Sequence, residues 1–215
     1  MNRSTELPKQ PAAVVSLEMD AKQRSAARRR VRDGFGIDDA TTAFLFPDIR
    51  KPKHAQRTVM MAFAQLQRQS HDVALLLVGP VRFRNQTLAH KLGLADVVRF
   101  VGKTRRLPDV HCAADVTLAA GDDDQGWCRA LEALYLRTPA IVPAGNAAAT
   151  LIADGEAGCV VDRAADAGAW AEVMAKLCAP EVRAAAVGAI ERRRENEAWR
   201  RQFREMVRML TTESP

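Results

Sequence analysis

Two stretches of this 215-residue chain carry residue types and spacings that could do chemistry. The first is Gly121-Asp122-Asp123-Asp124-Gln125-Gly126-Trp127, an acidic loop punctuated by glycine, which runs into Cys128-Arg129-Ala130-Leu131-Glu132-Ala133-Leu134. The second segment reads as a helix, and a helix start offers unpaired backbone N–H groups and a positive dipole end, which suit an anion. Asp124 can cap that helix or accept hydrogen bonds from a hydroxyl-rich ligand. Glu132 is an acceptor-only carboxylate with room for two donors, as the two hydroxyls of a ribose would supply. Spacing alone leaves a plainer reading open, with Asp124 a simple N-cap and Glu132 a surface residue. The other stretch is Pro47-Asp48-Ile49-Arg50-Lys51-Pro52-Lys53. Its cations suit a diphosphate, lysine as a point charge and arginine as a bidentate fork. The alternative is a solubilising loop, with His54 either touching phosphate or exposed.

Other chemistries find less support. Asp122, Asp123 and Asp124 could invite a hard divalent cation, but the loop brings no ligand from elsewhere, and no metal is expected. The four cysteines, Cys112, Cys128, Cys159 and Cys178, form no CxxC pair, so neither a zinc site nor a disulfide framework is indicated. Cys159, inside an apolar run, reads as a small core residue. His71, His90 and His111 stand far apart, and no Ser/His/Asp or Cys/His set converges. No GxGxxG follows the first strand, which argues against a nicotinamide dinucleotide. No cofactor is expected.

The elements that would position these residues alternate. A loose leader at 1–19 contains Pro8 and Pro11, and a basic helix follows over 20–33, stopping at Gly34 and Gly36. Strands are expected at Thr41–Phe46, Val73–Val78, Val97–Val101, Asp115–Ala119, Ala140–Val142 and Cys159–Val161. Helices are expected at 53–70, Asn85–Leu92, 107–113, Trp127–Leu136, 147–153, 166–178, 180–195 and 197–211. Val73–Val78 is a continuous apolar run closed by Gly79-Pro80, as a strand buried on both faces requires. Strands alternating with helices imply βαβ units, and so an α/β fold with a parallel sheet of about six strands and helices on both faces. Ligands of such sheets bind beyond the carboxyl ends of the strands, which selects the loops after Phe46, Val78, Val101 and Ala119.

Charge is uneven along a chain of net charge +6. Lys22, Arg24, Arg28, Arg29, Arg30 and Arg32 crowd the first helix, and eight arginines face five glutamates between Glu181 and Arg208. The favoured reading is solvated helix faces with intrahelical ion pairs. Aromatic residues are 5% of the chain, too few for base-stacking platforms, so nucleic acid is disfavoured as a partner. No apolar run reaches 18 residues and no secretory signal is readable, so a cytoplasmic location is expected, with peripheral membrane contact as a variant. The last helix places Trp199, Phe203, Met206, Val207 and Leu210 on one face, to dock on its own domain or on a partner.

The ordered set of short motifs resembles a known family. Its pieces are the loop Arg50–Lys53; Leu76-Leu77-Val78-Gly79; Leu92-Gly93-Leu94 with Val98-Arg99-Phe100-Val101-Gly102; Ala113-Ala114-Asp115-Val116; Leu131-Glu132-Ala133-Leu134 with Thr138-Pro139-Ala140-Ile141-Val142; and Ile152-Ala153-Asp154-Gly155-Glu156-Ala157-Gly158-Cys159-Val160. They are similar to the C-terminal, donor-binding domain of retaining glycosyltransferases of the GT-B architecture, the family that includes lipopolysaccharide core glucosyltransferases and sucrose synthases. The resemblance implies a Rossmann-like nucleotide-sugar-binding domain over 37–180, preceded by the basic helix (20–36) and followed by C-terminal helices (181–215). It implies sugar transfer from a nucleoside diphosphate sugar with retention, without a metal. Asp124 and Glu132 would be the carboxylate pair, the first toward the donor sugar and the second toward the ribose. Arg50 and Lys53 would neutralise the diphosphate, the base would lie near Gly102 and Lys103, and Gly79, Gln125, Gly126 and Trp127 would line the donor site. The sequence departs from the family where Asp124 replaces a glutamate, Trp127 stands at a usual glycine, Thr150 replaces an acidic residue and Arg50 lies unusually close to Lys53. About 41 residues precede the first strand, too few for an acceptor domain. A separate acceptor subunit, a split or truncated gene, or a degenerate, non-catalytic scaffold domain are the expectations that follow.

Overall fold

A computed structural model of the chain describes residues 19–47, 52, 54–69, 72–153, 156–194, 196–197 and 199–201. Nearly all of the expected leader, and Phe203, Met206, Val207 and Leu210 of the expected last helix, lie outside these residues. So do Arg50 and Lys53.

Six strands form one parallel sheet: β1 (Thr42–Phe46), β2 (Val73–Val78), β3 (Val98–Gly102), β4 (Val116–Leu118), β5 (Ala140–Pro143) and β6 (Gly158–Val161). Their order across the sheet is β3-β2-β1-β4-β5-β6. Winding runs outward from β1 to β3, then returns to the other side of β1 at β4. The crevice between β1 and β4 is therefore the switch point at which ligands of open α/β sheets bind.

Eight helices complete the described residues: α1 (Ala21–Phe35), α2 (Ala55–Gln67), α3 (Phe83–Lys91), α4 (Leu107–Ala113), α5 (Asp124–Tyr135), α6 (Ala149–Ala153), α7 (Ala167–Lys176) and α8 (Pro180–Arg194). Every residue of β1 and of β2 is buried, because helices cover both faces of the sheet. Alternate residues enter opposite cores, as the strand period demands. Phe44, Phe46, Leu75 and Leu77 pack with Phe63 of α2 and with Trp170 and Met174 of α7. Leu45, Leu76 and Val78 pack with Val31 and Phe35 of α1 and Val110 of α4. The basic helix is thus part of the sheet's own core rather than an appendage. Beyond α8, Trp199 is buried and stacks on Tyr135 of α5 at 6.4 Å, so at this residue the expected C-terminal stripe docks on its own domain. Cys159 is half-buried against the core, as its apolar setting suggests.

Two expectations need correction. The basic helix keeps a solvated face at Lys22, Arg29 and Arg30, but the ion pairs found there are not intrahelical. Its arginines reach across to other elements: Arg28 to Asp115 at 3.0 Å and Arg30 to Asp109 at 2.8 Å. Arg32, 1% exposed, donates to the carbonyls of Ala113, Asp38 and Thr41 and lies 3.4 Å from the Asp115 carboxylate. Helical periodicity puts Arg32 on the buried side, where its terminal nitrogens find the acceptors that a buried guanidinium needs. The second correction concerns α5, which starts at Asp124, three residues before the expected Trp127.

Arg32 generates a prediction. Arg32→Met keeps the volume but strands three carbonyls and removes one partner of Asp115. It should lower the unfolding free energy by about 3 kcal/mol, read as the shift in denaturant midpoint.

Candidate functional site

Asp123, not Asp124, caps α5. Its carboxylate accepts from the Gly126 N–H at 3.0 Å, and Asp124 becomes the first helical residue, with an exposed side chain. Glycine at 126 reads as a helix breaker in sequence, yet here it is required inside the first turn. A Cβ at Gly126 would lie 2.3 Å from the Gly121 carbonyl oxygen, so the helix start rests directly on the backbone of the preceding loop. Asn146, buried after β5, donates to that same Gly121 oxygen at 2.6 Å and accepts from the Ala148 N–H at 2.8 Å. The loops after β4 and β5 are thereby locked together. Asn146 was not singled out from sequence, although Pro143-Ala144-Gly145-Asn146 is a recognisable turn signal.

On the other side of β1, the Gly79 N–H donates to the Gly102 carbonyl at 3.0 Å, joining the loops after β2 and β3. Both glycines have left-handed backbones, φ 122° and 78°, which larger residues adopt at a cost. Lys103 is exposed beside them. Arg50 and Lys53 belong to the connection from β1 to α2 and lie outside the described residues. His54, at the N-terminal boundary of α2, is exposed, and its side chain makes no capping bond to the helix. The structure therefore places Gly79, Gly102 and Lys103 on one flank of β1. Asp124, Gln125, Gly126 and Trp127 lie on the other, all at the C-terminal edge of the sheet.

Glu132 is not the surface residue of the plainer sequence reading. It is 4% exposed, on the face of α5 turned toward α4. Because α5 begins at Asp124, the two carboxylates are about 12 Å apart along the helix and roughly 80° apart around it. Arg129 donates to Glu132 Oε2 at 2.7 Å, and His111 Nε2 lies 3.5 Å from the same oxygen. That distance makes the His111 contact an electrostatic one rather than a formed hydrogen bond. Burial alone would raise the Glu132 pKa, but the imidazole and then the guanidinium overcome it and hold the carboxyl at about 2. His111, fully buried, shares its Nδ1 with Thr117 Oγ1 at 3.0 Å. The i, i+3 spacing of Arg129 and Glu132 could have revealed the first pair. The His111 contact joins two helices and leaves no local signal. Among the described residues, no three or more His, Cys, Asp or Glu side chains converge to hold a metal, and no helix is long and apolar enough to cross a membrane.

Comparisons with known proteins agree with this geometry. The model of the family "Glycosyl transferases group 1" matches residues 28–203. A GDP-mannose-dependent alpha-(1-6)-phosphatidylinositol monomannoside mannosyltransferase of Mycolicibacterium smegmatis is 30% identical over 86% of this chain and 51% of its own length. A D-inositol 3-phosphate glycosyltransferase of Catenulispora acidiphila is 29% identical over 72% of this chain and 39% of its own. The chain spans about half the length of the mannosyltransferases it matches. Among solved structures, WaaG, a glycosyltransferase involved in lipopolysaccharide biosynthesis, superposes with a TM-score of 0.67 at 22% identity, over 80% of this chain and 47% of that one. The C-terminal domain of LpcC from Francisella tularensis, a group 1 family glycosyl transferase, superposes with a TM-score of 0.64 at 19% identity, over 79% of this chain and 90% of that one. HepE of Anabaena, solved with UDP and glucose, gives 0.68 at 17% identity, over 87% of this chain and 52% of that one. With the sheet order, the glycine-bound loops of its C-terminal edge and the family match in hand, this chain belongs to the glycosyl transferases group 1 family and has the Rossmann-like fold of a GT-B half.

Proposed function

We propose that this chain is the donor-side domain of a glycosyltransferase. It would hold a nucleoside diphosphate sugar across the C-terminal edges of β1 and β4, and a second domain or subunit would supply the acceptor. One observation carries the reading. The connection bearing Arg50 and Lys53 leaves β1, and the helix mouth at Gly121–Gly126 follows β4, so both flank the point where strand order reverses. Lys53 and Arg50 would neutralise the diphosphate together with the amides that open α5. Asp124 would face the sugar, and Gly79, Gly102 and Lys103 would border the base. Both protein contacts of Glu132 fall on Oε2, so Oε1 is the oxygen that would accept a ribose hydroxyl. Breaking the glycosyl–phosphate bond builds charge on the leaving diphosphate, and fixed cations and amides stabilise it without reorganising. No cofactor beyond the sugar nucleotide enters this scheme. Support comes from the curated relatives whose names specify GDP-mannose and from HepE solved with UDP-glucose. A second reading, a degenerate binding domain, draws on Glu132 already being engaged by Arg129. It differs in predicting no nucleotide affinity.

Calorimetric titration with GDP, UDP and ADP separates the two. One of them should bind, and Lys53→Ala should weaken that binding about tenfold to a hundredfold, as expected for losing one charge-assisted contact. Unchanged affinity in Lys53→Ala and Glu132→Gln would sink the site. Gly126→Ala should lower both the melting temperature and the nucleotide affinity, because the new methyl meets the Gly121 backbone and displaces the helix start. Glu132 makes a prediction about acid. Its folded pKa of about 2 lies below the ordinary 4.5, so its stabilisation is complete above pH 4.5 and is lost as pH falls toward 2. Wild type should lose stability across that window by circular dichroism, and Glu132→Gln should lack that part of the loss.

A further inference from the structure

We propose that the opposite edge of the sheet carries a second ligand site, a cavity that binds a phosphate-bearing anion through Arg24 and Arg137. The cavity, of about 560 Å³, opens where β4 and β5 begin, between α1, the turn from α5 to β5, and α8. In a parallel sheet this is the edge away from the candidate donor site. Its volume falls within the range of small-molecule sites. The charged groups on its wall are Arg24, Arg28, Arg137 and Arg183 against Asp115 and Glu191.

Two of these arginines are committed to the protein. Arg28 pairs with Asp115 at 3.0 Å, and Arg183 donates to the carbonyls of Leu177 and Cys178 at 2.8 and 2.7 Å. Arg24 and Arg137 have weaker partners, the Cys112 thiol for Arg24 and the largely exposed Glu191 carboxylate for Arg137. Their Nε atoms are buried without a hydrogen-bond acceptor, as are those of Arg32 and Arg129, but Arg24 and Arg137 differ in lining this cavity, where their terminal nitrogens can meet a ligand. Arg137 Nε comes within 3.2 Å of Glu191, but the pair is misaligned and the Glu191 side chain is 57% exposed. Cys112, beside Arg24, stays an uncharged thiol because burial pushes its pKa up, so it offers no compensating charge. Burial, and then the nearby Arg137, disfavour the charged form of Arg24. Two half-buried arginines that line one open cavity with only these weak partners repel each other, which an oxyanion relieves.

The backbone adds an independent observation. Arg137 sits at φ 62°, the left-handed conformation that glycine adopts freely at the end of a helix. That conformation closes α5, with the Thr138 N–H donating to the Ala133 carbonyl at 2.8 Å, and it leaves the Arg137 side chain on the cavity wall. Guanidinium forks match the oxygens of phosphate in bidentate fashion, which sets the ligand class. That phosphate could belong to a soluble phosphorylated molecule or to a lipid headgroup.

The test uses the full chain, inorganic phosphate followed by phosphorus NMR at fixed ionic strength, and two variants. Arg24→Gln removes one fork, and Arg137→Gly removes the other while suiting the backbone. Phosphate should bind wild type and bind each variant at least tenfold more weakly, with each variant still giving a cooperative thermal melt. Co-sedimentation with phosphatidylcholine vesicles, with and without phosphatidic acid, separates the sources. Sedimentation that requires both phosphatidic acid and Arg24 marks a headgroup, and phosphate binding without sedimentation marks a soluble ligand. The proposal is overturned if wild type binds neither probe or if both variants bind phosphate as wild type does. It is also overturned if Lys53→Ala rather than Arg24→Gln abolishes phosphate binding, which would assign the phosphate to the donor edge and leave the nucleotide reading untouched.

Discussion

Strands β1 and β4 meet through two paired residues on each side, Phe44 with Val116 and Leu45 with Thr117, and that short junction is where the winding of the sheet reverses. Asp115 lengthens it. Its N–H donates to the Ala43 carbonyl at 2.7 Å, and its side chain accepts from the Ala43 N–H, also at 2.7 Å. A carboxylate thus stands in for the backbone acceptor that the ladder lacks. Arg28 and Arg32 close on the same carboxylate, which is where the basic helix meets the switch point. A half-buried carboxylate is stable there because its charge is paired and its oxygens are hydrogen-bonded. The spacing of every loop at the C-terminal edge follows from the registration that this junction sets.

At that edge the structure uses backbone contact rather than side-chain packing. Gly126 rests on Gly121, Asn146 ties Gly121 to the next loop, and Gly79 bonds to Gly102. Loops fixed in this way can hold amides in one orientation while leaving the space above them open. Preorganisation of this kind is what charge stabilisation at a leaving diphosphate demands. The opposite edge is built differently, from long arginine side chains converging out of three separate elements. The two proposed anion sites would therefore work by different means, amides and a helix mouth at one edge and guanidinium forks at the other.

Some of this was legible in the residues and some was not. Val73–Val78 was placed to the residue because six apolar positions between turn signals admit no other buried element of that length. The start of α5 was placed too late, because glycine at 126 suggests a loop. The deciding contact, its Cα against the Gly121 backbone, comes from a segment folded over it. The arginines of α1 were visible as a charge run, but their partners Asp109 and Asp115 stand about eighty residues away. Glu132 was recognised as a carboxylate worth watching. Its burial depended on His111, a lone histidine from another helix.

Local chemistry acts over a few residues, so the sequence by itself determined which segments are strands and the parallel α/β architecture they build. Hydrophobic period and turn residues suffice for that, since each is read within one element. Only the tertiary structure decided which charges are spent and which remain available. A carboxylate or guanidinium is free, paired or buried according to what the rest of the chain brings within about 4 Å of it, and that distance is set by packing between remote segments. Glu132 beside His111 and Arg24 facing Arg137 are both outcomes of that packing.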